Sequence, residues 1–583
     1  MVTYVLPQND NNPSRQIRLS QNQAVYGYNM DYGVPVSSAF QAADDNSPLW
    51  QIDALKALYP IRMNLEALVA TGRYQFQYLL DKKNPLQLVQ MLKGPDHQAV
   101  FTYYAPDLGV ILPGSRPSSI DDYKNIFISQ KIPPVYDHYA TDEGFAYTFL
   151  AGPNPAILQR MTQIPGNFPI TSTHLTSVTA FAGDSLDAAI ADGRVFYIDH
   201  SDLAVLNNGK HPQQQKYIYA PFAAFAVPKG GGHLYPFAIQ CGPTPTGRRI
   251  YTPADNYSWK IAKNCVLAAH NTHHEVVSHL GVTHLLIEPI MLAAKRQLSV
   301  SHPINALLSE HNDGTMAINH KAIYTLIQPG QAVDRLIGAD LQSTYAYLGA
   351  KRLGYSFRGN YLPSRLAANQ TADTSRLTVY PYRDDGMLVW NAIQTWMSDF
   401  VRIFYPNDGV VQADKELQAW AAEIASPNAG RVKDFGNTPG TIQSTADLRD
   451  ILTMIIFTAG PQHAAVNFAQ GTDMAYLPAN PLAGYTPEPQ GTGHTEQDYL
   501  NNLPPIDVAV IQYSAVTFLG SMYYTQLGNY SQQFSSSSGT VGGAIARFKS
   551  NLADINATID SRNQSRIPYP HLKPSNIPQS INI

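Results

Sequence analysis

Residues 274–311 read HEVVSHLGVTHLLIEPIMLAAKRQLSVSHPINALLSEH, and five histidines recur in this stretch as H-x4-H-x4-H-x17-H-x8-H. They are His274, His279, His284, His302 and His311. Residues five apart on a regular α-helix are rotated by about 140°, so their side chains face different directions. His279 and His284 could therefore bind one ion only if the helix gained a residue in one turn, as a π-bulge does. The alternative is that these imidazoles are ordinary buried polar side chains.

A second histidine lies far downstream, in IIFTAGPQHAAVNFAQGTDMAYLP, residues 455–478. His463 and Asn467 are four residues apart, so on a regular helix they share a face. The chain ends in PYPHLKPSNIPQSINI, residues 568–583. Most chain termini fray, but this one is rich in Pro and Ile and has no run of charges. We therefore expect it to be buried.

These three segments together resemble the lipoxygenases, non-haem metal enzymes that insert dioxygen into polyunsaturated fatty acids. The resemblance runs from about Ser118 to the end and includes FLAGPNP (149–155), ADGRVFYIDHSDL (191–203) and YIYAPFAAF (217–225). It implies a mainly α fold, with a large helical catalytic domain and a small antiparallel β-subdomain at residues 116–583. Residues 1–115 are expected to form a partly helical N-terminal extension, with a helical pattern from Asp53 to Lys93.

Many relatives begin with a β-barrel lipid-binding domain, which requires a series of short alternating strands. Such strands are not evident in residues 1–115, so the chain resembles a bacterial-type lipoxygenase without that domain. Within the catalytic domain, segments 360–385 and 531–540 diverge from the family and are expected to be loops.

The resemblance implies a metal site with four firm ligands and one weak ligand. The firm ligands would be His279, His284, His463 and the main-chain carboxylate of Ile583, and the weak one would be the amide oxygen of Asn467. Imidazoles and a carboxylate around an open position suit redox-active iron. One non-haem iron per chain is expected, with manganese as the alternative. His274, His302 and His311 belong to the motif but not to the metal.

Residues around the metal can be assigned by the same resemblance. Glu275 and Gln470 match positions that join a hydrogen-bond network orienting the weak ligand. Ala322 and Leu326 match catalytic-site positions, where a small residue controls oxygen entry and a leucine clamps the substrate. Lys321 matches a basic position that can pair with the fatty-acid carboxylate. From the residues alone, Leu326 could equally be core and Lys321 a solvated charge.

The implied reaction is dioxygenation of a fatty acid that carries a cis,cis-1,4-pentadiene, of the linoleate, linolenate or arachidonate type. Hydrogen abstraction at a metal hydroxide and addition of O2 would give a hydroperoxide. One alternative is a fatty-acid hydroperoxide isomerase on the same fold. The other is a non-catalytic protein, which binds lipid or holds zinc in the same site. The sequence leaves the preferred substrate and the oligomeric state open.

Composition fits an enzyme that does not act on nucleic acids. The chain has 583 residues and a net charge of −4, and 14% of its residues are charged, against about 25% in average proteins. The two cysteines exclude a disulfide framework, although a single bridge is open. The start lacks a signal-peptide pattern, so a cytoplasmic location is expected, with peripheral membrane contact as an option. The apolar stretch from Val508 is expected to be a buried core helix rather than a membrane span.

Overall fold

The computed structural model describes residues 4–39, 41, 44–45, 47–71, 116–210, 214–522 and 525–583. Helices dominate these residues, and strands are few and short, so the predicted mainly α fold is confirmed. The helices before the histidine motif are α1 Ser14–Val25, α2 Pro48–Ala70, α3 Asp121–Lys124, α4 Asp142–Ala151, α5 Ser172–Thr176 and α6 Leu186–Ala191. The long helix α7, Tyr257–Gln297, carries the first part of the motif.

Thirteen further α-helices or helical runs follow α7 in the described residues. They are α8 Pro303–Glu310, α9 Thr315–Thr325, α10 Ala332–Leu336, α11 Leu341–Gly354, α12 Leu362–Ala368, α13 Pro381–Phe404, α14 Asp408–Ala413, α15 Lys415–Ala425, α16 (Thr445–Phe457 continued to Met474), α17 Glu496–Asn502, α18 Ile506–Leu519, α19 Gln532–Ser535 and α20 Gly539–Arg562. The run α16 alternates between α and π geometry, with π segments at Thr458–Gln462 and Gln470–Met474.

Helix α7 forms the centre of the molecule. It contains an 18-residue window with the mean hydropathy (1.5) of a membrane span, but 94% of that window is buried inside the protein. This places it in the class of apolar core helices. Pro289 lies inside it and cannot donate to the carbonyl of Leu285. The guanidinium of Arg352, on α11, donates to that carbonyl at 2.8 Å instead.

The predicted antiparallel β-subdomain is confirmed as a five-stranded sheet in the order β3-β4-β5-β6-β7. Its strands are β3 Gln159–Arg160, β4 Val195–Asp199, β5 Phe222–Ala226, β6 Tyr235–Gln240 and β7 Ile250–Tyr251, and a separate hairpin joins β1 Tyr28–Asn29 to β2 Val36–Ser37. Every residue of β5 is buried, because α7 and the α4 region cover one face and the α5–α6 segment covers the other.

The N-terminal residues pack against the catalytic helices. Ser47 caps α2, and the helix then buries a face that includes Trp50, Leu58 and Leu65 against the region of α18. The helical pattern expected from Asp53 to Lys93 is thus observed as far as Ala70, and its remainder lies outside the described residues. Helix α18 confirms the expectation that the stretch from Val508 is a buried core helix.

Two segments expected to be loops contain short helices. In 360–385, Pro363 in the first turn starts α12, which buries Leu362 and Leu366. In 531–540, the hydroxyl of Ser531 caps α19, which buries Phe534. Divergence from the family therefore did not mean loss of structure, because each segment keeps a helix start signal and apolar residues to bury. Cys241 and Cys265 are both buried and free, so the open question of a single bridge is answered.

Candidate metal centre

Three imidazoles from two helices converge in the core. Nε2 of His284 lies 3.3 Å from Nε2 of His279 and 3.2 Å from Nε2 of His463. The three nitrogens lie within 4.8 Å of one another, and all three residues are buried. Metal–imidazole bonds are about 2.0–2.1 Å long, so two nitrogens on one ion at about 90–110° are separated by about 3.0–3.4 Å. The two separations measured from His284 match that spacing.

The helix geometry that this convergence needs is present. Residues His274–His284 of α7 are π-helical, which confirms the predicted gain of a residue between His279 and His284. His463 opens an α-helical segment of α16 that ends at Ala469, so Asn467 lies one turn further along the same face. The π segments on either side of this short α-helical part were not anticipated from the sequence.

An amide fixes the protonation state of His284. Asn319, on α9, donates its amide N–H groups to the carboxylate of Glu288 (2.9 Å) and to the carbonyl of His284 (3.2 Å). Its oxygen therefore faces Nδ1 of His284 at 2.8 Å, and Nδ1 must carry the proton. The Nε2 lone pair is thereby left free to face the other imidazoles. Neither Asn319 nor Glu288 was predicted from the sequence, since neither belongs to a spaced motif.

Glu275 and Gln470 lie beside the second nitrogen of His279. The amide nitrogen of Gln470 lies 2.9 and 3.0 Å from the two carboxylate oxygens of Glu275 and 3.3 Å from Nδ1 of His279. The nearest acceptor to that Nδ1 is the Glu275 carboxylate, at 3.7 Å. The described contacts therefore link this pair to His279, rather than to the weak-ligand candidate Asn467.

Asn467 presents an oxygen without a partner. Its amide nitrogen donates to the carbonyl of Leu519 at 2.8 Å, which fixes the orientation of the side chain. Its Oδ1 is buried and has no hydrogen-bond partner among the described residues. Buried polar atoms are rarely left unsatisfied, so this oxygen is suited to an additional ligand. A metal ion in the histidine cluster fits that need.

Burial keeps the three imidazoles neutral, which is the form that binds metals. It lowers the pKa of His279 to about 4 and, with the charge of His279 added, that of His284 to about 3. Burial, and then the neighbouring His284 and His279, hold the pKa of His463 well below its usual range, while a hydrogen bond from the imidazole to the backbone of Ile583 opposes the shift. That last contact places the end of the chain beside the cluster.

The C-terminal tail is buried and held along its length, as expected. Ile581, Asn582 and Ile583 are all buried. The hydroxyl of Thr315 donates to the carbonyl of Ile581 at 2.8 Å, and the indole N–H of Trp50 donates to that of Asn582 at 2.5 Å. The tail thus reaches the histidine cluster as an ordered strand of chain.

The other motif histidines stabilise the surroundings of the cluster. His274 lies 2.9 Å from the carbonyl of Val466 and so ties α7 to α16. His302 caps α8 and pairs with buried Asp414 at 3.0 Å. His311 lies 2.8 Å from the carbonyl of Gln579 and 3.0 Å from the hydroxyl of Tyr530. None of the three belongs to the cluster of candidate ligands found in the described residues.

The predicted substrate residues lie on and just after α9, the helix that also carries Asn319. Ala322 is three residues beyond Asn319 and so lies on the same side of the helix. Leu326, partly buried, ends the helix, and its N–H donates to the carbonyl of Ala322 at 3.0 Å. Lys321 is paired with Asp45 at 3.1 Å, so its ammonium already has a carboxylate beside it. A role for Lys321 in binding a fatty-acid carboxylate stays a prediction.

Comparison with known proteins agrees with this geometry. The sequence model of the family described as Lipoxygenase matches residues 120–578. The linoleate 9/13-lipoxygenase of Pseudomonas aeruginosa is 38% identical over 494 residues, covering 81% of this chain and 71% of that protein. The human hydroperoxide isomerase ALOXE3 is 31% identical over 474 residues, covering 80% of this chain and 66% of that protein.

A solved structure shares the fold over the whole chain. The lipoxygenase variant delta413-417:GS, crystallised anaerobically in complex with arachidonate, superposes with a TM-score of 0.84 at 27% identity, covering 100% of this chain and 83% of that one. The matched residues include all three clustered histidines and Asn467. The chain therefore belongs to the lipoxygenase family, dioxygenases that carry a non-haem iron.

Proposed function

We propose that this chain converts fatty acids with a cis,cis-1,4-pentadiene, of the linoleate, linolenate or arachidonate type, to hydroperoxides with O2. One iron per chain would be held by His279, His284, His463 and the carboxylate of Ile583, with the amide oxygen of Asn467 as a weaker ligand. Manganese is the alternative metal, because imidazole and oxygen ligands accept both. A redox-active metal bound there would supply the one-electron oxidation that removes a bis-allylic hydrogen.

The observation that carries this proposal is the convergence of three buried Nε2 atoms, in which the second nitrogens of His284 and His279 face other groups. Nδ1 of His284 donates to Asn319, and Nδ1 of His279 faces Glu275 and Gln470. The protonated Nδ1 of His284 leaves its Nε2 lone pair facing the other two imidazoles, and the free oxygen of Asn467 lies one helical turn from His463. A set of core histidines that served only packing would have no reason to share this orientation.

The remaining residues would orient the substrate and limit where oxygen reacts. Leu326 would pack against the pentadiene, and the methyl group of Ala322 would shield one end of it from O2. The protein's contribution is to hold one carbon at the metal and to admit O2 to one face, while the metal supplies the redox chemistry. Burial of the cluster keeps water away from the radical that forms.

Metal content of the purified protein tests the ligand set. We expect close to one iron or manganese per chain in the wild type and a large loss in His279→Ala, His284→Ala and His463→Ala. The matched control is His302→Ala, which removes a buried histidine of the same motif that pairs with Asp414 instead. Full occupancy in the three variants, or equal loss in the control, would contradict the assignment.

A second candidate is isomerisation of fatty-acid hydroperoxides, because one relative of similar identity is named a hydroperoxide isomerase. Both reactions would use the same metal site. O2 uptake with linoleate separates them: a dioxygenase consumes O2 and accumulates hydroperoxide. An isomerase consumes added hydroperoxide and leaves O2 unchanged. Chiral chromatography of the products from linoleate and arachidonate would then identify the position that is oxygenated.

A further inference from the structure

The chain's N-terminal helix touches the last peptide group before the proposed terminal ligand. Trp50, on α2, is 3% exposed, and its indole N–H donates to the carbonyl of Asn582 at 2.5 Å. The two residues are 532 positions apart. Both lie outside residues 120–578, the part that the family model matches.

The carbonyl of Asn582 belongs to the peptide group that leads into Ile583, so its direction sets the plane of that group. The side chain of Asn582 cannot share this task, because neither its oxygen nor its nitrogen has a hydrogen-bond partner among the described residues. The next fixed point along the tail is the carbonyl of Ile581, held by Thr315. Trp50 thus holds the peptide group that precedes the last residue, while His463 contacts the backbone of Ile583 itself.

Trp50 is itself held in place by charge. The ammonium of Lys321 lies 5.0 Å from the centre of its indole ring, within the range of a cation–π interaction, and Asp45 pairs with that ammonium at 3.1 Å. A cation over the ring draws electron density from the indole and makes its N–H a better donor. Lys321 is on α9, two residues from Asn319, so the same helix supports two sides of the cluster.

We propose that Trp50 is a positioning residue for the metal site, which fixes the Asn582–Ile583 peptide so that the terminal carboxylate reaches the metal. This rests on the proposed function, because it takes Ile583 to be a ligand. A metal bond tolerates an error of about 0.2 Å, whereas a tail free to rotate about its last peptide moves a carboxylate much further. The N-terminal extension would then be part of the metal centre, not only its cover.

The test compares Trp50→Phe with Trp420→Phe. Both remove one buried indole N–H and keep an aromatic ring, but Trp420 donates to the carbonyl of Ile290, away from the tail. Release of the metal to a chelator would be followed in the purified holoprotein. We expect release to be about 10–100-fold faster in Trp50→Phe, the usual effect of removing a group that orients a ligand. Trp420→Phe should release metal at the wild-type rate.

A second measurement needs no metal. Release of Ile583 from the metal-free protein by a carboxypeptidase, followed by mass, should be faster in Trp50→Phe than in the wild type or in Trp420→Phe. If Trp50→Phe does not fold, Lys321→Met keeps the indole and removes the cation over it together with the ion pair to Asp45. We expect the same two effects in that variant, each smaller in size.

The outcomes separate this proposal from the assignment of the ligands. A wild type that binds metal, together with a Trp50→Phe variant that releases it at the wild-type rate, would overturn the role of Trp50 alone. A wild type that binds no metal, or whose metal survives loss of Ile583, would overturn both. Equal acceleration in Trp50→Phe and Trp420→Phe would mean that Trp50 acts through general stability, and would also overturn the proposal.

Discussion

At the scale of single residues, the cluster depends on what each imidazole does with its second nitrogen. The sequence predicted the three histidines and Asn467, because their spacing within two segments is distinctive. It could not predict Asn319, which meets His284 from another helix, or Glu288, which lies on the next turn of α7 and accepts from Asn319. Such partners are contacts of the folded state, and one Asn on a helix gives no signal for them.

The role of Asn319 leads to a prediction about metal affinity. In Asn319→Leu, Nδ1 of His284 would lose its acceptor and the buried Glu288 would lose its donor. We expect metal affinity to fall by about 10–100-fold. Competition with a chelator would measure this. Asn305→Leu is the control, since the amide of Asn305 donates to the carbonyls of Leu298 and Ser299 and to no other described residue. Equal affinity in wild type and Asn319→Leu would mean that the amide does not orient His284.

Ala322 belongs to the same scale, through the proposed shielding of one end of the substrate. Ala322→Gly removes one methyl group, so we expect a new oxygenation position or a change in product handedness. The product profile from linoleate and arachidonate would be compared with that of Ala317→Gly. Ala317 is buried on the same helix, so both variants carry a similar helix cost of about 1 kcal/mol. An active Ala322→Gly variant with the wild-type profile would remove Ala322 from the pocket.

At the scale of elements, the π segments turn two helices into a binding site. The five-residue spacing of His279 and His284 predicted a bulge, and the structure extends it over His274–His284. The π segments of α16 have no counterpart in histidine spacing, since His463 and Asn467 are four apart and only the flanking turns are widened. The spacing of candidate ligands along a helix therefore predicts a π segment only where that segment lies between two of the ligands.

The C-terminal tail gives the prediction at this scale. Adding one glycine after Ile583 would turn the proposed ligand into an amide and move the charge by up to about 3.3–3.6 Å. We expect O2 uptake with linoleate to be lost, together with much of the bound metal. Ile583→Val should keep both, because it keeps the carboxylate and loses about one buried methylene, ~0.8 kcal/mol. Full activity in the extended protein would rule out a terminal ligand.

At the scale of the whole molecule, a second group of buried histidines makes stability depend on pH. His200 contacts His270 at 3.3 Å, and its ring lies 5.6 Å from that of His273. Burial lowers the pKa of His200 to about 4, and burial with the charge of His200 lowers that of His273 to about 3. In the unfolded chain both would titrate near 6.5.

The direction in which the free energy of unfolding changes with pH follows from which state, folded or unfolded, binds protons. Above pH 6.5 these histidines are neutral in both states, so they do not affect the free energy of unfolding. Between about pH 6.5 and 4 the unfolded chain binds protons that the folded protein excludes, so stability falls as pH falls. Urea unfolding of the metal-free protein from pH 7.5 to 4 should show this. The decline should be shallower in His200→Asn. An equal slope in both proteins would contradict the assignment.

The overall architecture could be predicted for the part of the chain that contains the family's motifs. The helical catalytic domain and the sheet β3–β7 follow from blocks that span residues 149–225 and from the histidine segments. The packing of α2 on the tail was not predictable. It joins residues 532 positions apart, and nothing in the local pattern around Trp50 or Asn582 indicates a partner at that distance.

The buried helix α7 has a consequence for how the protein is made. Before it folds, the chain presents a helix-forming stretch, Tyr257–Gln297, whose hydropathy and length match a membrane span. Machinery that sorts nascent chains reads such segments by apolarity alone. Burial in the core must therefore outpace insertion into a bilayer and self-association, because folding intermediates with exposed apolar surface are prone to aggregate. We expect heterologous expression to depend on chaperones that shield this segment while the downstream helices are synthesised.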